Sequence, residues 1–346
     1  MKAKRLLLGL ATVTAALALG GHALAGHADT TDATDSSSVV SDSSSTTSDS
    51  GSTVQTKALS KAYVVYGAGL ASEDKDSVAT ALGVKSNYAA LTATGSDYAK
   101  YLNSAGTTDA SMISSVALAP ADPGSGVKVN IAKYNGSNNI TQVTAQQYSM
   151  VATMAGVKDV IITVTADKSV SGESALTGVY KALAADGLTL NAENTQAANG
   201  VLDATQPAIN DNSSDKKYPG KLMAAVGSVS SDLAKQRQNG NDLATKADIE
   251  AMLQKALAKQ GITNQTTQTQ INNISIALSK VQQAPVSTSK NYVSNVKNVA
   301  NNLANSIGNK MASVKDFANS ADAKQAENFI VRIWHQIVNF FTGLFN

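Results

Sequence analysis

Tyr63-Val64-Val65-Tyr66-Gly67-Ala68-Gly69-Leu70-Ala71-Ser72-Glu73-Asp74 is the stretch from which the fold class is read. Four strand-favouring residues run into a glycine turn, and the turn opens onto a serine followed by two acids. A short apolar run bounded by glycine reads as a buried strand. A serine before acids reads as a helix start, with an N-cap hydroxyl and carboxylates at the positive end of the helix dipole. The expected helix runs to about Leu82 and stops at Gly83. Strand, turn and helix in this order are the unit of an α/β protein.

Downstream, the pattern predicts a strand over Tyr88–Ala93 and a helix over Ser96–Ser104. Two more strands, Met112–Ala119 and Val127–Lys133, flank the turn-rich Pro120-Ala121-Asp122-Pro123-Gly124. Val127, Val129 and Ile131 alternate with Lys128 and Asn130, so one face of that strand is buried. Thr144 and Gln147 form a capping box for a helix to about Ala155. Asp159–Thr165 reads as an apolar, central strand, and Glu173–Ala185 as a helix ending at Gly187. Val78-Ala79-Thr80-Ala81-Leu82-Gly83-Val84-Lys85 is echoed by Val151-Ala152-Thr153-Met154-Ala155-Gly156-Val157-Lys158. A duplicated helix–strand unit and chance both account for so short a match.

The fold class expected is therefore an α/β head over 58–190, with a mixed sheet and two related helix–strand units, followed by an all-helical C-terminal region. Residues 191–221 turn polar and contain Pro207 and Pro219, which reads as a linker. Over 222–318, apolar residues recur at three- and four-residue spacing. Tyr292, Val296, Val299, Leu303, Ile307, Met311, Val314 and Phe317 trace one stripe. A hairpin, a small bundle or a self-associating coiled coil fits that pattern.

The N-terminus says where the protein works. Lys2, Lys4 and Arg5 precede the apolar run Leu6–Leu19, and Ala23-Leu24-Ala25 offers a signal-peptidase site. The run is short for a bilayer span, so 1–25 reads as a cleaved signal peptide, with a retained anchor as the alternative. Residues 26–57, rich in Ser, Thr and Asp, read as a disordered spacer, because too little apolar surface is present to offset the entropy of ordering.

Composition excludes several function classes. The 346 residues contain no cysteine, hence no disulfide, thiolate metal site or cysteine nucleophile. The three histidines are His22, His27 and His335, so 57–328 cannot build a Ser-His-Asp triad or a histidine zinc site. Three of the 28 basic residues fall in the signal, and the remaining 25 face 26 acids. No concentrated Lys/Arg face suggests nucleic acid as a partner. Arginine occurs only at 5, 237 and 332, which disfavours recognition of phosphate or carboxylate by arginine clusters.

Five segments carry a family resemblance. They are Gly67-Ala68-Gly69-Leu70, Ile113-Ser114-Ser115-Val116, Gly124-Ser125-Gly126-Val127-Lys128-Val129, Asn139-Ile140-Thr141-Gln142-Val143-Thr144, and Val170-Ser171-Gly172-Glu173-Ser174-Ala175-Leu176-Thr177-Gly178. In that order they resemble the domain-of-unknown-function family 1002, a set of exported bacterial proteins also called YpuA-like. The resemblance covers about a third of the chain and implies export and the extent of the head; it supplies no activity. The family more often has Thr-Ala where this chain has Glu173-Ser174, which argues against Glu173 as a family-wide catalytic acid.

Each candidate for chemistry has a plainer reading. Gly67-Ala68-Gly69-Leu70-Ala71-Ser72 is a degenerate dinucleotide fingerprint, and a tight strand-to-helix turn explains it as well. Ser171, Gly172, Glu173 and Ser174 open a helix, whose free N–H groups could hold an anion or a sugar hydroxyl. Ordinary capping by Ser171 is the plainer account. Ser72 and Lys75 have Ser-x-x-Lys spacing without the partner motifs of the acyl enzymes that use it. Carboxylates in the head could serve glycoside hydrolysis, but the head has no Trp or Phe to seat a sugar. No cofactor is called for.

The last 18 residues hold four of the five Phe and the one Trp. On a helix over 326–346, Phe329, Ile330, Ile333, Trp334, Ile337, Phe340, Phe341 and Leu344 share a face. Such a helix suits docking to a membrane surface, to an envelope protein or to a second copy of the chain, and packing on the chain's own helical half accounts for it as well. The reading as a whole is an exported, extracellular, loosely envelope-associated binding protein without an evident catalytic site. A wall-active hydrolase using carboxylates of the head is the alternative.

Overall fold

The computed structural model describes residues 54–55, 58–307 and 311. The signal peptide, most of the spacer and the aromatic segment 326–346 lie outside the described residues.

Five strands, β1 (Tyr63–Gly67), β2 (Ala89–Ala93), β3 (Ser115–Pro120), β4 (Val127–Ile131) and β5 (Val160–Thr165), form one mixed sheet in the order β2-β1-β3-β5-β4. The pairs β1–β2 and β4–β5 are parallel, and β3 runs antiparallel to both its neighbours. β3 therefore takes the middle, and β5, expected there, is one strand in from the edge. The α/β fold class and the helical C-terminal region stand.

Register separates the two faces. Tyr63, Leu118, Ile162 and Val129 align across the sheet, and one residue on, Val64, Ala117, Thr163 and Asn130 align on the other face. Both rows are buried. α1 (Lys75–Leu82) covers the second face, where Val78 and Leu82 meet Val64 and Ala117 in a small core. The first face joins the main core with α2 (Gly95–Leu102), α3 (Ala145–Met154) and α4 (Glu173–Ala185).

The echoed octapeptides mark the same helix stop twice. Gly83 and Gly156 have φ of 71° and 100°, a region open to glycine. Val84 N–H reaches the Ala79 carbonyl at 2.9 Å and Val157 N–H the Ala152 carbonyl at 3.0 Å, which closes a Schellman turn in each copy. Thr80 and Thr153 both return their hydroxyls to the carbonyl four residues back. Each helix links two parallel strands, α1 between β1 and β2, α3 between β4 and β5. The two lie on opposite faces, so the sheet is not a simple repeat.

Several expectations are corrected. Residues 191–221 are not a linker. Ala192–Asp211 is a 20-residue helix, α5, and α6 (Tyr218–Gln238) starts within the same stretch. Asn191 caps α5 by accepting from Glu193 N–H at 2.8 Å. Pro207 sits inside the helix, and polar residues such as Asn194 and Thr205 are buried because they find partners. Asn194 Oδ1 accepts from Val286 N–H at 2.9 Å. Thr205 bonds back to Val201 and takes a bond from Gln147.

Nor do the C-terminal helices form a free coiled coil. α7 (Lys246–Gln260), α8 (Gln268–Gln283) and α9 (Lys290–Leu303) pack with α5 and α6 into a layer on α3. Every residue of α3 is buried, including Gln146, Gln147, Ser149 and Thr153. A helix with an apolar stripe needs one partner, whereas one buried all round needs partners on every side. The sheet supplies one side and α5, α6 and α9 supply the others, so one core runs from the sheet to the outer helices. Of the expected stripe, Tyr292, Val296, Val299 and Leu303 are buried on α9, but Ile307, past the end of that helix, is 56% exposed. The spacer's end is docked: Val54 and Gln55 are buried, and Gln55 N–H bonds the Gly156 carbonyl at 2.8 Å.

α2 shows how local charge supports this layer. Thr94 and Asp97 make the capping box, and Lys181 of α4 bonds Asp97 at 2.5 Å. Burial works against the Asp97 charge, but bonds from Lys181 and Thr94 and the Lys181 charge outweigh it, so the carboxyl lies below its usual range. A lowered folded pKa contributes stability above the unfolded value of about 3.9, and that contribution is lost as pH falls through the folded pKa. Asp97→Asn is expected to cost about 1 kcal/mol at neutral pH, the usual worth of a cap, and progressively less in acid. Urea midpoints across pH 2–7 check this.

Candidate functional site

Open α/β sheets bind ligands beyond the carboxyl ends of their parallel strands. At that end of this sheet, four of the five family-like segments meet. Gly67 N–H bonds Ser115 Oγ at 3.2 Å, and Gly69 N–H bonds the Met112 carbonyl at 2.9 Å. A Cβ on Gly67 would lie 2.0 Å from the Met112 oxygen, and one on Gly69 would lie 2.4 Å from that of Ala110. The glycines serve close approach of the chain to itself. The space a nucleotide phosphate would take in a dinucleotide turn is filled by residues 110–113.

The loop before α4 is held in the same way. Val170 N–H bonds the Asn139 carbonyl, Thr141 N–H bonds that of Val170, and Val143 N–H bonds that of Ser171. Tyr148, on α3, donates to the Gly172 carbonyl. Gly172, not Ser171, is the N-cap of α4, with φ of 105° and no side-chain cap bond. The Ser171 carbonyl is bonded to the 139–143 loop, which holds Ser171 outside the helix. Ser72 likewise makes no cap bond; Ser72–Asp74 is a 3-10 turn leading into α1.

Ser114 and Ser174 are buried 2.5 Å apart, oxygen to oxygen. Ser114 N–H donates to Ser174 Oγ, and Ser114 Oγ donates to the Gly172 carbonyl. A serine nucleophile needs a base within reach. These hydroxyls are spent on each other and on the backbone, so the pair works as a clasp between β3 and α4. Of the four residues singled out at this helix start, Gly172 and Ser174 are structural, and Glu173 projects from the clasp.

Glu173 accepts from Tyr98 of α2 at 2.8 Å. Burial, then the Glu173 bond and charge, push the Tyr98 hydroxyl upward. Asp203, on α5, is also raised, first by its crowded surroundings and then by the Glu173 charge, although its side chain reaches solvent. It lines a cleft of about 540 Å3 with Glu193 on α5 and Lys280 and Gln283 on α8. Sequence reasoning missed Asp203 because it fell in the supposed linker. The signal available was the spacing of Ala197-Ala198, Val201-Leu202, Thr205 and Ala208-Ile209.

The Glu173 charge is one cause of the Asp203 rise, so Glu173→Gln is expected to lower the Asp203 pKa. Carboxyl NMR titration checks this. Asp203 itself works against the fold as pH rises from about 3.9 through its folded value, because the folded state holds the proton longer.

A model of the family described as "Protein of unknown function (DUF1002)" matches residues 66–299. The chain belongs to that family. The DUF1002 match runs from β1 through most of α9, so the family unit includes the outer helices as well as the segments first read from sequence. A relative, "Uncharacterized protein YpuA" of Bacillus subtilis (strain 168), is 27% identical over 292 residues, covering 82% of this chain and 91% of the relative. No solved structure matches. Within this DUF1002 chain no described helix is long and apolar enough to cross a membrane. Phe329, Ile330, Ile333, Trp334, Ile337, Phe340, Phe341 and Leu344 lie outside the described residues.

Proposed function

We propose that the protein is exported, stays loosely associated with the cell envelope, and acts there as a non-enzymatic binding protein. The observation that carries this reading is the closed carboxyl end of the sheet. The position where an α/β enzyme opens a pocket is here occupied by the chain's own clasp of Gly67, Gly69, Ser114, Gly172 and Ser174. Function is then left to outward surfaces. The basic start, apolar run and small-residue site of 1–25 support export. The aromatic face over 329–344 supports attachment to a membrane surface, an envelope protein or a second copy of the chain.

Fractionation of the native host tests it. The processed chain is expected outside the cytoplasmic membrane, and deletion of 329–346 is expected to move it from the envelope fraction to the medium. Unprocessed protein in the cytosol would overturn the reading of export, and unchanged fractionation of the deletion would overturn the docking role.

A second reading is hydrolysis of wall glycan by carboxylates of the head, favoured by the electrostatic coupling of Glu173 with Asp203 of α5. Purified protein would then solubilise wall glycan, and both Glu173→Gln and Asp203→Asn would abolish it. No turnover across wall substrates removes this reading.

A further inference from the structure

α6, α7 and α9 leave a solvent-open groove of about 520 Å3. Lys235, Lys259, Lys290 and Lys297 line it, with Asp232 as the one acid among the described residues that do so. All four lysines are exposed, and among the described residues none is ion-paired. Lys235 and Lys259 sit in the last turns of α6 and α7, where the helix dipole favours a cation. Lys290 and Lys297 have no such reason. Lys290 is the first residue of α9, so it adds positive charge to the positive end of a helix. Ser289 gives that end no side-chain cap, and α9 contains no Asp or Glu. Such an arrangement is unfavourable alone and is relieved by a bound anion.

The shape narrows the ligand. The groove follows α6 from Ala224 to Gln238, about 21 Å at 1.5 Å per residue, and Lys290 and Lys297 are about 10 Å apart. That is too long for a single phosphate. The floor is small, with Ala224, Ala225, Ala256 and Ala300, so a chain could lie close to the helices. Among the described residues no aromatic side chain lines it to stack a base or a sugar. Among the described residues no arginine lines it to fork one phosphate, and lysines act as point charges suited to charge spread along a polymer.

We propose that this groove binds a linear polyanion, a flexible chain of phosphodiester repeats such as a cell surface carries. The proposal rests on the reading of export for where such a polymer is met. Binding itself is tested in vitro, so its failure is distinguishable from a failure of fractionation.

The probe is fluorescent poly(glycerol phosphate), titrated against the full mature chain and its variants at several salt concentrations. Lys290→Gln with Lys297→Gln is expected to weaken binding by tenfold or more at low salt. The slope of log affinity against log salt should fall by about 0.7 for each lysine removed. Lys85→Gln with Lys255→Gln, both outside the groove, should leave binding unchanged. Equal binding by the groove double variant would overturn the proposal, as would inorganic phosphate binding as well as the polymer. Tighter binding of single-stranded DNA would make the groove a nucleic-acid site and overturn it too. Crosslinks from Lys290 and Lys297 to the chain's own Asp29–Asp49 that persist at saturating polymer would assign the groove to that segment instead.

Discussion

Gly67→Ala is expected to lower the unfolding free energy by about 3 kcal/mol or more. The added Cβ would sit 2.0 Å from the Met112 oxygen and 2.6 Å from its carbon, and both are backbone atoms that cannot rotate away. Relief requires β1 to part from residues 112–113. Overpacking of a rigid core costs about 1–3 kcal/mol. The separation would also weaken the bonds from Gly69 N–H to Met112 and from Gly67 N–H to Ser115, each worth about 1 kcal/mol. Gly83→Ala is the comparison. Its Cβ would meet nothing within 4 Å among the described residues, and only its φ of 71° resists the change, at a cost of about 1 kcal/mol. Urea titrations with unchanged m-values measure both. Equal costs at the two positions would mean that the sheet end is not closed as described.

The isolated head, residues 58–190, is expected not to fold cooperatively. Cutting there removes α5 to α9 and uncovers Gln146, Met150, Thr153 and the remainder of the outer side of α3, all buried in the whole chain. Met150 packs against α6: a Cβ on Gly227 would lie 2.3 Å from its methyl carbon. Ala300 of α9 crowds the same glycine at 3.0 Å. Loss of this layer is expected to exceed the roughly 5–15 kcal/mol that holds an ordinary domain folded. The fragment should show broad unfolding, weak near-ultraviolet dichroism and binding of a hydrophobic dye. A sharp unfolding transition in the fragment would show that the head stands alone.

Local chemistry was legible wherever one segment decides its own structure. Thr144 and Gln147 announced the start of α3, Gly83 and Gly156 announced two helix stops, and the alternation of Val127, Val129 and Ile131 announced β4. What escaped the sequence depends on distant partners. Ser171 looks like a cap until its carbonyl is claimed by Val143. Residues 191–221 look like a linker because Pro207 and several Asn and Thr are poor helix formers in isolation. They become helical where Gln147 and the backbone of Val286 satisfy Thr205 and Asn194. Asp203 was hidden by the same error. Gln146 and Gln147 gave no hint of full burial, because amide side chains are buried only when partners from other helices surround them.

Hydrogen exchange of the full chain, read by mass spectrometry, tests most directly whether sheet and outer helices are one body. Peptides covering α3, β5 and the buried half of α6 are expected to share one opening free energy, equal to that of global unfolding. Exchange of α6 and α9 at a markedly lower free energy, with the sheet still protected, would contradict a single shared core.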